Sequence, residues 1–321
     1  MVTEIGEYAF SGCEALASIT IPESVTVIGC EAFKGCKALT SITIPNSVTK
    51  IGESAFYKCG ALTSINIPES VKEIGDEAFW GCEALTSINI PESVKWIGKR
   101  AFYECKALAS IDISKSVAKI GEEAFSGCMA LTGINIPNSV TKIGDGAFRW
   151  CEALTSINIP ESVTKIGDNA FNCCENLTSI NIPESVTKIG KNVFVACKVL
   201  ASIVVDEKNK VYDSRNNCNA IIETKTNRLI QGCTNTVIPK SVTKIGDRAF
   251  WWLWLTSINI PESVTEIGDY AFSCCENLTS ISIPESVTEI GSDAFEGCKA
   301  LTNITIPNSV TKIGDGAFWG V

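Results

Sequence analysis

From Leu154 to Asn176 the chain reads L-T-S-I-N-I-P-E-S-V-T-K-I-G-D-N-A-F-N-C-C-E-N, and close variants of these 23 residues recur along nearly all of it. Numbered 1 to 23 from the leucine, the unit is apolar at positions 1, 4, 6, 10, 13, 17, 18 and 21. Ile157 and Ile159 are two residues apart and point the same way on a strand, with Ser156 and Asn158 on the other face. Pro160 ends the strand, because it has no N–H to give to a ladder. Gly167 suits a tight turn, and Ala170-Phe171 followed by Cys174 predicts one helical or 3-10 turn that drops the phenylalanine inward. A single unit of this size cannot bury its own apolar face, but stacked units can.

The dipeptide Ile-Gly marks the stacking. It falls at Ile5, Ile28, Ile51, Ile74, Ile97, Ile120, Ile143, Ile166 and Ile189, and again at Ile245, Ile267, Ile290 and Ile313. About 13 repeats in one domain over residues 1–321 is the expectation. Two departures stand out. Residues 200–233 form an atypical unit, in which Asn219-Ala-Ile-Ile-Glu and Arg228-Leu-Ile-Gln flank a polar turn and predict a β-hairpin. At Trp251-Trp252-Leu253-Trp254 one residue is missing and the usual cysteine is lost, which predicts a local irregularity.

The L-x-x-I-x-I start is the leucine-rich-repeat signature, and the remainder, I-P-x-S-V-T-x-I-G-x-x-A-F-x-x-C, resembles the BspA-like (Treponema-type) branch of that family. The resemblance implies a right-handed solenoid of the β/α superhelix class. A parallel sheet would line its concave side, with short 3-10 or helical turns and short extended segments on the convex side. It also implies a bacterial protein, cell-surface or secreted, that adheres to extracellular-matrix proteins, cell-surface proteins or glycans. The alternative is a building block that self-associates through uncapped ends into a fibre or layer.

Composition narrows the chemistry. The chain has 321 residues, no histidine, and a net charge of −9 from 27 basic and 36 acidic residues. Without histidine there is no Ser-His-Asp or Cys-His pair and no histidine-ligated metal. The acidic balance argues against nucleic acid as a partner. No apolar run reaches the roughly 18 residues of a membrane span, and no signal peptide is visible. P-loop, G-x-G-x-x-G and calcium-loop motifs are lacking, so no cofactor, metal or catalytic residue is expected.

Sixteen cysteines remain, most at position 21, from Cys13 and Cys36 to Cys275 and Cys298. Stacking puts them in a column, where they act as small buried apolar groups. Cys218 and Cys233 bracket the hairpin, and a disulfide between them is possible. Position 3 is mostly serine and position 5 mostly Asn or Thr, which predicts side-chain hydrogen-bond ladders on the concave face, interrupted by Asp112. Variation concentrates at positions 12, 15, 16, 19 and 20. Position 19 reads Tyr57, Trp80 and Tyr103 in consecutive repeats, with Trp96 at position 12 and the pair Arg149-Trp150 nearby. Exposed aromatic and arginine side chains anchor interfaces, which makes these six the candidate ligand-binding residues. They could equally pack over the neighbouring turns. Lys119, Lys142, Lys165 and Lys188 form a further column, read as a solvated face balanced by glutamates such as Glu161 and Glu184.

Overall fold

A computed structural model describes residues 1–321, which fall into two compact units. Unit 1 holds Met1–Cys174 with Ile189–Val193, and unit 2 holds Glu175–Lys188 with Phe194–Val321. In both, each coil stacks on the next by parallel pairing.

Unit 1 has two strand ladders per coil. The first, at positions 3 to 6, runs in order through Ser41–Thr43, Ser64–Asn66, Ser87–Ile90 and Ser110–Ile113. Its register is one full repeat, Ser87 opposite Ser110 and Ile88 opposite Ile111. The isoleucines face in and the Ser and Asn between them face out, as alternation dictates. The second ladder, at positions 12 and 13, joins two-residue strands such as Lys119–Ile120 and Lys142–Ile143. Between the ladders the chain turns at the proline, where the Val140 N–H reaches the Pro137 carbonyl at 3.0 Å. The glycine at position 14 follows, and it marks the closest approach of neighbouring coils. A Cβ on Gly144 would sit 2.4 Å from the carbonyl oxygen of Gly121.

The third side corrects the expected helical turn. Its backbone is instead a run of tight turns in which alternate N–H groups serve different partners. Those of Ala124, Ser126 and Cys128 bond three residues back, to Gly121, Glu123 and Phe125. Those of Glu123, Phe125 and Gly127 cross to Asp145, Ala147 and Arg149 in the next coil. A helix would keep every N–H for itself; this arrangement pairs the same groups and binds the coils together. Positions 16 and 20 must then be left-handed: Glu123 has φ 52° and Gly127 φ 77°. The one 3-10 segment in the chain, Arg215–Asn217, lies in the atypical repeat.

Where position 20 is not glycine, the left-handed conformation costs about 1–2 kcal/mol relative to the right-handed helix. Glu104, at φ 56°, stands between Gly81 and Gly127 of the neighbouring coils. Glu104→Gly is therefore expected to stabilise unit 1 by about 0.5–1 kcal/mol, read as a higher urea midpoint with unchanged slope.

The core consists of columns. The rings of Phe79, Phe102 and Phe125 stack at 5.4 and 5.5 Å, nearly parallel. From Cys36 onward the position-21 thiols of unit 1 are buried and donate to the phenylalanine carbonyl of the preceding coil, as Cys105 does to Phe79 and Cys128 to Phe102 at 3.2 and 3.3 Å, whereas Cys13 is exposed. That accounts for a cysteine where any small apolar residue would fill the space.

The outward Ser and Asn columns do not form the expected ladders. Hydroxyl ladders run instead at positions 2, 9 and 11, for example Thr63 to Thr40, Ser70 to Val48 and Thr49 to Thr26. At positions 2 and 11 the accepting carbonyl also takes the backbone N–H of the same threonine, as Thr40 does from Thr63 at 3.1 Å and Thr26 from Thr49 at 2.8 Å.

In unit 2, Ser179–Ile182 pairs with Ser202–Val205, and Ser257–Asn259 with Ser280–Ser282. The atypical repeat places Tyr212–Asp213, Ile221–Glu223 and Arg228–Gln231 in an antiparallel meander. Arg228–Gln231 continues in parallel to Lys244–Ile245. This repeat adds strands but no third-side turn, so the Ala196 N–H reaches past it to the Trp251 carbonyl at 3.5 Å. Gly232 stands where a phenylalanine would stack; a Cβ there would lie 2.0 Å from a ring atom of Phe250. Cys218 and Cys233 are both free and buried, and the disulfide between them is not formed. Their thiols face separate carbonyls, those of Ala220 and Asn219.

Candidate binding site

Position 19 follows the buried phenylalanine, so its side chain emerges on the third side of the coil. In unit 1 the fold brings Tyr57, Trp80 and Tyr103 into one half-buried row. Tyr57 and Trp80 meet edge to face at 5.2 Å and 60°, and Trp80 and Tyr103 at 4.7 Å and 57°. Tilted contact of this kind is the favourable aromatic geometry, and it presents edges as well as faces to solvent.

Charge surrounds the row. The Arg100 guanidinium, from position 16, lies 5.4 Å from the Trp80 ring centroid and 6.0 Å from that of Tyr103. It is neutralised by Glu123 and, at 3.9 Å, by Glu77. The ammonium groups of Lys34 and Lys58 each lie 5.3 Å from the centroid of Tyr57. Burial holds the Tyr103 phenol above its ordinary range, with the carboxylates of Glu104 and Glu123 adding to the effect. The row therefore presents aromatic surface framed by Lys58 and by two ion-paired cations, Lys34 with Glu31 and Arg100 with Glu123.

The other candidates separate from it. Ser126, the next position-19 residue, is fully buried and ends the row. Beyond it the Arg149 guanidinium stacks 3.9 Å over the Trp150 ring, and its Nε is buried without a partner. Trp96 is 45% exposed but belongs to the second ladder, opposite Lys119, and so does not join the row. Arg100, Glu77 and Glu123 were not singled out in the sequence. Their signal is one of column position: 16 and 19 lie side by side only once the turns are known.

A second feature is the outward face of the first ladder. Ser41, Thr43, Ser64, Asn66, Ser87, Asn89, Ser110 and Asp112 line a shallow trough of about 810 Å³. No group of three or more Cys, Asp or Glu side chains converges on a metal position. No helix is long and apolar enough to cross a membrane.

Coils stacked through L-x-x-I-x-I strands over a shared apolar core define a leucine-rich-repeat protein. The chain belongs to the BspA-type leucine-rich-repeat family, whose model matches in six copies over residues 3–132, 118–226 and 221–321. A leucine-rich repeat protein of Bacteroides ovatus is similar at 35% identity, over 99% of this chain and 80% of that one, with a TM-score of 0.73. A leucine rich cell surface protein of Faecalibacterium prausnitzii is similar at 32% identity, over 95% and 85%, with a TM-score of 0.69. The pneumococcal vaccine antigen PcpA shares the fold at 21% identity, over 87% and 76%, with a TM-score of 0.59. No curated protein matches the chain.

Proposed function

We propose that the chain is a non-catalytic binding module displayed at a bacterial cell surface, and that the aromatic row of unit 1 grips a protein partner. The observation that carries this reading is the contiguity of Tyr57, Trp80 and Tyr103 at a position free to vary, on coils whose core positions scarcely change. Rigid rings and a stacked arginine lose little conformational entropy on binding, which is why such residues dominate interface energetics. The surface location of the Faecalibacterium relative supports the placement. Matrix proteins and proteins of neighbouring cells are the partner class. The trough, with its small polar lining and single carboxylate at Asp112, is the alternative face.

The test uses residues that position 19 already carries in other coils, Ser11 and Lys34. The variant Tyr57→Ser, Trp80→Lys, Tyr103→Ser is compared with wild type by biolayer interferometry on immobilised matrix proteins, once the two are shown to melt alike. A loss of about tenfold or more is expected. Undiminished binding would move the site to the trough. Absence of binding together with concentration-dependent growth in light scattering would favour self-assembly.

A further inference from the structure

At position 12 the second ladder sets each side chain directly beside those of the coils above and below. Elsewhere the chain uses this closeness to pair opposite charges: Lys50 with Glu73 at 3.3 Å, Lys312 with Glu289 at 3.6 Å, and Lys244 with Glu266. One stretch of unit 1 departs from that pattern. Trp96–Ile97, Lys119–Ile120, Lys142–Ile143 and Lys165–Ile166 are neighbouring parallel strands, with Trp96 opposite Lys119, Lys119 opposite Lys142, and Lys142 opposite Lys165. In each the isoleucine is buried and the residue before it turns outward. An indole and three lysine side chains therefore stand in one file, with steps of about 4.8 Å at the backbone.

The three charges are not offset. None of Lys119, Lys142 and Lys165 forms an ion pair, and the expected balance by Glu161 is not formed. Of the carboxylates three positions further on, Glu122 is paired with Lys99 at 3.1 Å. Those of Asp145 and Asp168 accept the backbone N–H groups of Asp168 and Lys191, at 3.1 and 2.9 Å. Like charges directly opposite each other destabilise a strand pair. The file thus keeps a repulsion that one acidic residue would turn into attraction, as Glu73 does beside Lys50. Trp96, 45% exposed, closes one end of it.

We propose that Trp96, Lys119, Lys142 and Lys165 form a second binding site, for a linear sulfated glycan lying across the strands. A chain of sulfate esters brings in the negative charge that the file lacks, and so relieves the repulsion among its ammonium groups. Lysine suits this task because its charge sits at the end of a long flexible stem, which can follow sulfates of uneven spacing. A sugar unit of an extended polysaccharide is about as long as one step between strands, so successive sugars meet successive coils. The exposed indole takes the apolar face of a sugar ring beyond Lys119, whose C–H bonds meet the negative face of the aromatic system. The chain's net charge of −9 opposes attraction at long range, so binding is confined to this file and is sensitive to salt.

The test titrates the full chain at about 50 mM salt with a heparin octasaccharide, read by calorimetry and tryptophan fluorescence. A heparosan octasaccharide is the unsulfated counterpart, and an oligothymidylate of equal charge is the nucleic-acid counterpart. The heparin fragment is expected to bind about tenfold or more tightly than either, and to weaken about tenfold or more once salt reaches about 200 mM. Lys142→Glu sets an acid between two lysines, so it is expected to lose about tenfold or more in affinity while melting no lower than wild type. Trp96→Val introduces the residue that position 12 carries at Val27, and is expected to lose about threefold. Lys225→Glu makes the same change of net charge in the hairpin turn of unit 2, and is expected to stay within about twofold of wild type. Equal binding of the heparosan or thymidylate fragment, no binding at millimolar concentration, undiminished affinity in Lys142→Glu, or an equal loss in Lys225→Glu would each overturn the proposal.

Discussion

Raising the pH from 8 to 10 is expected to strip unit 1 of about 7 kcal/mol of stability. Five position-21 thiols there, Cys59, Cys82, Cys105, Cys128 and Cys151, are held neutral by burial. Cys59 is pushed up to about 12, and the other four lie above that or well above the ordinary value of 9.0. In the unfolded chain the same thiols ionise near 9, so above that pH the unfolded state gives up protons that the folded state keeps. The contribution is complete below pH 9 and is lost as pH climbs towards 12. Each thiol costs about 1.4 kcal/mol per pH unit, and the total is comparable with the whole stability of an ordinary domain, about 5–15 kcal/mol. Near-ultraviolet circular dichroism should show cooperative unfolding between about pH 9 and pH 11. The variant Cys82→Ala, Cys105→Ala, Cys128→Ala should be less stable at neutral pH and should fall off with pH less steeply, by about 4 kcal/mol per unit. Stability that stays flat to about pH 11 would contradict a column of buried neutral thiols.

Gly144→Ala is expected to cost at least about 3 kcal/mol, a large effect for one methyl group. The added Cβ would lie 2.4 Å from the Gly121 oxygen and 2.5 Å from its carbonyl carbon. Both are backbone atoms of the preceding coil and cannot swing aside. Relief would require the coils to separate, which would break the ladder bond from the Gly144 column to its neighbours and loosen the stacked phenylalanines. Gly133 supplies the control, since a Cβ there meets nothing within 4 Å. Gly133→Ala is expected to be neutral or to stabilise by up to about 1 kcal/mol through the unfolded chain. Urea denaturation of the two variants side by side measures the difference. If both substitutions prove equally mild, the coils are not in the close contact described.

The two effects share one origin. Coil-to-coil spacing is set by the backbone ladders, and every side chain repeats at that spacing. A small perturbation at one position of the unit is therefore either tolerated throughout the stack or forbidden throughout it. This explains why positions 14 and 21 scarcely change from coil to coil while position 19 ranges from Ser11 to Trp80.

Much of this was legible without coordinates. The 23-residue period, the strand at Ile157 and Ile159, its end at Pro160 and the inward Phe171 all follow from residue type and spacing. Burial has only one outcome for an isoleucine or phenylalanine that recurs in register, because only stacking removes its surface from water. The unit does not declare its hydrogen bonds in the same way. Ala-Phe-x-x-Cys is compatible with a helical turn, and the left-handed residues at position 16 carry no shared sequence signal: Glu123, Arg248 and Tyr270 occupy the same conformation. That conformation is imposed by the neighbouring coil, whose carbonyls demand every second N–H.

The same division holds for the surface. Sequence alone identified Tyr57, Trp80 and Tyr103 as one column, because in-register stacking is a matter of counting. Which arginines are neutralised was beyond it. Arg100 and Arg248 occupy the same position of the repeat, yet one meets Glu123 across the coils and the other meets only Trp251 and Tyr270. Charge pairing depends on which side chains adjacent coils happen to present. Repetition determined the architecture, and only the tertiary structure decided which charges are paired across the coils.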